Sequence, residues 1–137
     1  MTDDRSTHTL ITGEHLPKPA GPYSPGVSFE RLVFVSGQAA VDPATGEIVS
    51  VDTETQTEQV LKNVQAILET AGSGLDYVLR CGVYLTDISE FKKMNASYER
   101  MFGRHRPART TVQVAALPAP NMKEEIDVIA YVPRTIG

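Results

Sequence analysis

The sequence predicts an α/β sandwich: a mixed β-sheet with two helices packed on one face, in the order β-β-α-β-α-β-β. Three observations carry this. Two segments, 52–71 and 88–102, repeat apolar residues at helical spacing. Short apolar or alternating runs before, between and after them read as strands. Glycine and proline clusters punctuate the boundaries. Strands interleaved with helices are the pattern of helices laid on a sheet.

The elements follow in order. Residues 1–8 are polar and are expected to form a disordered tail, with a single domain over 9–137. "LPKPAGPYSPG" holds too many prolines and glycines for a regular element and reads as a loop. Leu32 to Val35 is a continuous apolar run, the pattern of a strand buried on both faces, with Gly37 ending or bulging it. "DPATGEIV" suggests a turn and a short return strand, making a hairpin. Val60, Leu61, Val64, Ile67, Leu68 and Ala71 mark the first helix, with Asp52 or Thr53 as cap and Gly72 and Gly74 closing it. "LDYVLRCGVYLTD" is a strand. Ile88, Phe91, Met94, Tyr98, Met101 and Phe102 form the stripe of the second helix. "RTTVQVAAL", a Pro-rich turn and "EEIDVIAYV" complete the chain.

A sheet covered on one face leaves the other open. Tyr131, Ile129 and Val35 are expected to contribute to an apolar surface that other subunits cover. The 137 residues suit one domain. The 41% hydrophobic and 22% charged content is that of an ordinary globular protein. A net charge of −4 argues against non-specific nucleic-acid binding, which draws its affinity from neutralised phosphates. One cysteine, Cys81, excludes an internal disulfide framework and reads as a small core residue. The N-terminus has no apolar signal region and no run is long enough for a bilayer, so a cytoplasmic protein is expected. His8, His15 and His105 show no metal-ligand spacing, and no metal or other cofactor is expected. His105 is assigned to a solvated loop. No phosphate loop, dinucleotide fingerprint or nucleophile elbow is present.

Strand period groups the polar residues near the C-terminus. Arg109, Thr111 and Gln113 share one face of their strand, and Val112 and Val114 face the core. Glu125 and Asp127 share a face of the last strand. If the two strands are antiparallel neighbours, these polar faces lie side by side. Such a set can clamp a carboxylate and orient a water. It can equally be a set of cross-strand ion pairs, which period alone favours. "SGQ", Ser36 to Gln38, is either a site of close ligand approach or a simple bulge. Tyr23 on "GPYSPG" either lines a pocket or plugs the core edge, and Asn95 lies on the stripe of the second helix and needs partners.

These pieces stand in a specific order: "GPYS", "VFVSGQ", "DPATGEI", "TEQVLKNVQAILETAGSGLDYV", "VYLTDISEFKKMNASYERMF", "RPARTTVQVAALP" and "EIDVIA". In that order and spacing the chain resembles the Rid (YjgF/UK114) family, also named endoribonuclease L-PSP, over most of its length. The resemblance implies a chorismate-mutase-like fold and a homotrimer with clefts between subunits. It implies cofactor-free hydrolysis of reactive 2-imino and enamine acids to 2-keto acids and ammonia. It carries catalytic roles onto Arg109 as carboxylate clamp, Glu125 as the residue placing the attacking water, and Tyr23. It carries substrate-binding roles onto Ser36, Gly37, Asn95 and Thr111. The chain departs from the archetype at Thr111, where cysteine is often found, at Glu124, where an apolar residue is usual, and at Pro25. Two other readings stand beside this one. An endoribonuclease or translation inhibitor would use Arg104, His105 and Arg106, but lacks an aromatic stacking platform. A non-catalytic metabolite-binding or chaperone-like module would use the same clefts.

Overall fold

The computed structural model describes residues 7–134, so the expected tail lies outside the described residues except for Thr7 and His8. The elements are β1 (Thr9–Ile11), β2 (Gly26–Phe29), β3 (Leu32–Gln38), α1 (Thr53–Thr70), β4 (Val78–Leu85), α2 (Phe91–Phe102), β5 (Ala108–Gln113) and β6 (Glu124–Tyr131). They build one mixed sheet, ordered β1-β2-β3-β6-β4-β5, in which β4 and β5 are parallel and the other neighbours antiparallel. The class is the expected one, a sheet with two helices.

Local chemistry sets the helix ends. Asp52 caps α1, its carboxylate accepting from the Thr55 N–H at 2.9 Å. At the other end the Ser73 N–H donates to the Leu68 carbonyl and the Gly72 N–H to Glu69, a Schellman closure that requires the left-handed backbone of Gly72, φ +85°. The second helix starts later than expected: Ile88–Glu90 form a 3-10 turn, with Asp87 bonding the Ser89 N–H, and α2 proper begins at Phe91. A similar turn, Leu75–Tyr77, leads into β4.

The core lies between the sheet and the helices. Val60, Leu61, Val64, Ile67 and Leu68 of α1 are fully buried against Val33, Val83, Ile126 and Ala130 of the sheet. Each such side chain contributes roughly 1.5–3 kcal/mol of hydrophobic free energy. Met94, Tyr98 and Phe102 of α2 join them, whereas Ile88 and Phe91 stay exposed at the margin of the stripe.

Several expectations need correction. β3 is not buried on both faces. Val33 and Val35 are inside, while Leu32 and Phe34 are 39% and 42% exposed. They pair with Tyr131 and Ile129, so these four residues, and not Val35, form the open apolar surface. The "DPATGEIV" segment makes only a single bridge, Val41 to Ile48. It cannot pair with β3, whose two edges are taken by β2 and β6. The strands β1 and β2 arise instead from the N-terminal region. β5 and β6 are not neighbours, because β4 lies between them. The α2 crossover brings β5 back parallel to β4 on one side. The 114–123 connection then crosses the end of β4, bonding it through Val114 to Leu85 and Thr86 to Lys123, and β6 enters on the other side. Edge position also leaves Val112 40% exposed instead of in the core.

Ile67, fully buried in the centre of α1, provides the test of this packing. Ile67→Ala is expected to destabilise the fold by about 2–5 kcal/mol in urea denaturation, with the slope unchanged.

Candidate active site

The residues singled out in the sequence fall into two groups. The first surrounds the end of β3. Two residues there, Ser36 and Gly37, stand opposite the single residue Asp127 of β6, because the register runs from Val35–Val128 to Gln38–Ile126. This is a β-bulge, and it turns the strand end toward a cavity of about 380 Å³ lined by Tyr23, Gly37, Gln38, Met122 and Glu125. Gly37 permits a close approach of the Glu125 side chain. A Cβ there would lie 2.7 Å from the Glu125 carboxyl carbon.

Each member of this group is held by a defined contact. Ser36 Oγ donates to the Ser24 carbonyl at 2.7 Å and the Ser36 N–H to the Pro25 carbonyl at 3.0 Å, which fastens the "GPYSPG" loop to the bulge. The Ser36 hydroxyl is therefore a loop anchor. Tyr23, on that loop and 48% exposed, accepts the Ala20 N–H on its Oη at 3.1 Å. Gln38 is buried and donates to the Ser36 carbonyl at 3.0 Å. Burial holds the Glu125 carboxyl above the ordinary carboxylate range, and the like charge of Asp127 adds to this. Asp127 is otherwise engaged: it accepts from Tyr84 Oη at 3.0 Å and from the Gly82 N–H at 3.1 Å.

The second group surrounds Arg109 on edge strand β5. Arg109 pairs in register with Cys81 and extends along α2. Its guanidinium carbon lies 4.8 Å from the Tyr98 ring centroid and 5.5 Å from that of Phe91. Asn95, Tyr98, Glu99, Arg106, Pro107 and Arg109 line a cavity of about 320 Å³. Glu99 is engaged by Arg106 at 3.2 Å, and among the described residues no carboxylate lies within 4.0 Å of Arg109. Tyr98 Oη and Thr111 Oγ1 are buried without a hydrogen-bond partner among the described residues. Burial raises the Tyr98 hydroxyl well above the ordinary phenol range, with the Cys81 contact adding to it. Cys81 is a buried free thiol, pushed up to about 11 chiefly by burial. It behaves as the core residue expected, not as a nucleophile.

The expected side-by-side arrangement of Arg109 and Thr111 with Glu125 and Asp127 does not occur. β4 separates the strands, and the two sets point to opposite faces. Arg109 and Thr111 share the face of buried Cys81 and Val83, whereas Glu125 and Asp127 share the face of Tyr84. His105 also differs from its expected solvated state. Its Nε2 lies 2.6 Å from the Val78 carbonyl, which only accepts, so that nitrogen carries the hydrogen. Sequence reasoning placed Tyr98 in the core stripe and missed its ring beneath Arg109. The contact joins α2 to β5, and no local pattern reports it. Among the described residues no group of three or more His, Cys, Asp or Glu side chains could hold a metal ion. No helix among them is long and apolar enough to cross a membrane.

Comparison with known proteins extends this picture. The sequence pattern of the family described as Endoribonuclease L-PSP matches residues 13–132. A RutC family protein of Pyrococcus horikoshii is 47% identical over 122 residues, covering 89% of this chain and 96% of the relative. The chloroplastic Reactive Intermediate Deaminase A of Arabidopsis thaliana is 43% identical over 121 residues, covering 88% of this chain and 64% of the relative. Escherichia coli TdcF, whose crystal structure holds bound serine, superposes with a TM-score of 0.84 at 38% identity, covering 90% of this chain and 98% of TdcF. With the family pattern over residues 13–132 and close superposition over 90% of the chain, the chain belongs to the Endoribonuclease L-PSP family, which is also the YjgF, RutC or Rid family.

Proposed function

We propose that the protein hydrolyses reactive 2-imino and enamine acids, of the 2-iminobutanoate and 2-aminoacrylate type, to 2-keto acids and ammonia without a cofactor. The observation that carries this is Arg109: a half-buried guanidinium stacked on two aromatic rings, with no protein carboxylate within 4.0 Å among the described residues. A fixed, unpaired fork of this kind suits the carboxylate of a small substrate. Tyr98 Oη and Thr111 Oγ1 stand beside it as unsatisfied hydroxyls. The serine held by TdcF and the name of the Arabidopsis relative agree with a small amino-acid-derived substrate.

The chemistry needs little more than positioning and a proton carrier. An enamine first gains a proton at its terminal carbon and becomes the iminium. Water attacks the iminium carbon. Its oxygen forms the new bond, the C=N π pair moves onto nitrogen, and the water proton passes to Glu125. Glu125 then returns that proton to nitrogen. The C–N bond breaks as the hydroxyl passes its proton to the Glu125 carboxylate and its oxygen forms the carbonyl; ammonia leaves with the keto acid, and Glu125 releases the proton to solvent. A carboxyl raised above its ordinary range by burial is suited to both transfers.

One chain holds the Arg109 and Glu125 groups on opposite faces of its sheet, so a single small substrate requires them from different subunits. We assign the site to clefts between subunits of a homotrimer, with Asn95, Arg109 and Thr111 from one chain and Tyr23, Ser36, Gly37 and Glu125 from the next. The open apolar surface of Leu32, Phe34, Ile129 and Tyr131 supports burial between subunits. The ribonuclease reading gains no support: Arg106 is engaged by Glu99 and the Gly103 carbonyl, and His105 by Val78.

A coupled assay in which a threonine dehydratase generates the imine tests the reaction. Wild-type protein is expected to accelerate keto-acid release. Arg109→Ala should lower kcat/KM by about 100-fold, the equivalent of the roughly 2–3 kcal/mol of a charged bidentate pair. Equal rates for the two proteins would overturn the proposal. Gly37→Ala, whose new methyl group displaces the Glu125 carboxylate, should lower kcat while leaving the fold intact by circular dichroism. Light scattering is expected to give three times the mass of the 14.9 kDa chain, and a monomer that still turns over imines would exclude the intersubunit cleft.

A further inference from the structure

Glu124, the first residue of β6, is 0% exposed and faces away from the cleft, beneath the opening turns of α1. Its Oε2 lies 2.7 Å from Thr57 Oγ1, and that same oxygen lies 2.8 Å from the Thr53 carbonyl. A hydroxyl has one hydrogen to donate, and a carbonyl can only accept. If Glu124 were ionised, Thr57 would face two acceptors with one hydrogen, leaving one pair of oxygens in contact with none between them. If Glu124 is protonated, its O–H donates to Thr57 Oγ1 and the Thr57 hydroxyl donates to the Thr53 carbonyl. Only that arrangement satisfies both contacts.

The surroundings agree. From α1 the carboxyl meets Thr57, and from β4 its register partner is Leu85. Among the described residues no charged group of a neighbouring element acts on it. On its own strand, Glu125 and Asp127 point to the other face, and the preceding Lys123 ammonium is held 3.6 Å from Glu90. Glu124 Oε1 and Thr53 Oγ1 are both buried without partners among the described residues. A full negative charge there would have no cation and an unsatisfied oxygen, which is far costlier than a neutral acid. Burial pushes the carboxyl up to about 7. A hydrogen bond in which the acid itself donates favours the neutral form further.

We propose that Glu124 is a neutral carboxylic acid in the folded protein and a positioning residue, its proton donated to Thr57 Oγ1 to latch the start of β6, and with it Glu125, onto the opening turn of α1. The latch is local to the cleft, because the next residue is the Glu125 that covers Gly37 at the bulge. Loss of the proton pits a buried charge against the Thr53 carbonyl and loosens the strand at the residue before the proposed catalytic carboxylate. Only this last step rests on the function proposed above.

The sign of the pH effect follows from the shift. The unfolded carboxyl loses its proton near 4.5 and the folded one near 7. Between those values the folded state holds one more proton than the unfolded state. Stability from this group is complete below about 4.5, falls tenfold in the folding equilibrium per pH unit above it, and is lost as pH rises through about 7, about 300-fold in all.

Two variants separate the parts of the proposal. Infrared spectra of wild-type protein at pH 6 should show a protonated-carboxyl C=O band that Glu124→Gln removes. Urea denaturation from pH 5 to 8 should show a fall in wild-type stability, relative to Glu124→Gln, that the neutral amide variant lacks. Absence of the band, or parallel pH profiles, overturns the neutral acid whatever reaction the protein catalyses. In imine turnover, wild-type kcat should decline as Glu124 ionises with KM little changed. Glu124→Gln, which keeps a donor, should hold its kcat over that range, and Glu124→Leu, which has none, should be low throughout. A Glu124→Leu protein with wild-type kcat and profile overturns the positioning role.

Discussion

β6 runs between β3 and β4, and along it burial alternates without a break. Glu124, Ile126, Val128 and Ala130 are buried, while Glu125, Asp127, Ile129 and Tyr131 are partly exposed. Every other part of the fold is placed relative to that one strand. Its inner face carries the helices, and its outer face carries Glu125 and the apolar residues that pair with Leu32 and Phe34. A slip of one residue would exchange the two faces and bring Glu125 and Asp127 into the core in place of Glu124. The register of β6 is therefore the constraint that sets a buried and a cavity-lining carboxylate in consecutive residues.

The two halves of the candidate site reflect two ways of holding charge near a protein interior. Aromatic faces support the Arg109 guanidinium, and among the described residues no carboxylate pairs with it, which leaves its donors for another molecule. Glu125 stays within reach of a proton because burial makes its charge costly. Glu124 takes the same logic further. With no cation and no exposure, it is best satisfied as an acid. Burial thus raises both adjacent glutamates on opposite faces, and beside Glu125 the like charge of Asp127 adds to it.

The bulge at Ser36 and Gly37 connects these features. An extra residue in β3 bends the strand end, ties it through Ser36 to the loop bearing Tyr23, and leaves a glycine where the Glu125 carboxyl packs. Three segments distant in sequence meet there because Gly37 puts no side chain in the way of the Glu125 carboxyl.

Much of this molecule is written locally. Both helices, the Asp52 cap, the Gly72 closure, the four longer strands and the alternation of β6 follow from residue spacing, because period and capping are properties of neighbours in sequence. So does the family, since the order of short motifs from "GPYS" to "EIDVIA" is itself linear. Strand order is not local. That β4 lies between β5 and β6, that β1 and β2 extend the sheet, and that the "DPATGEIV" segment makes one bridge only were decided by which edges remained free. The site divides the same way. Sequence named Arg109, Glu125, Tyr23, Gly37 and Asn95, but only the folded chain put the arginine and the glutamate on opposite faces and Tyr98 beneath the guanidinium. Side-chain period tells which residues share a face of one strand. Which face meets the helices depends on burial summed over the whole sheet, and that sum exists only once the strands have paired.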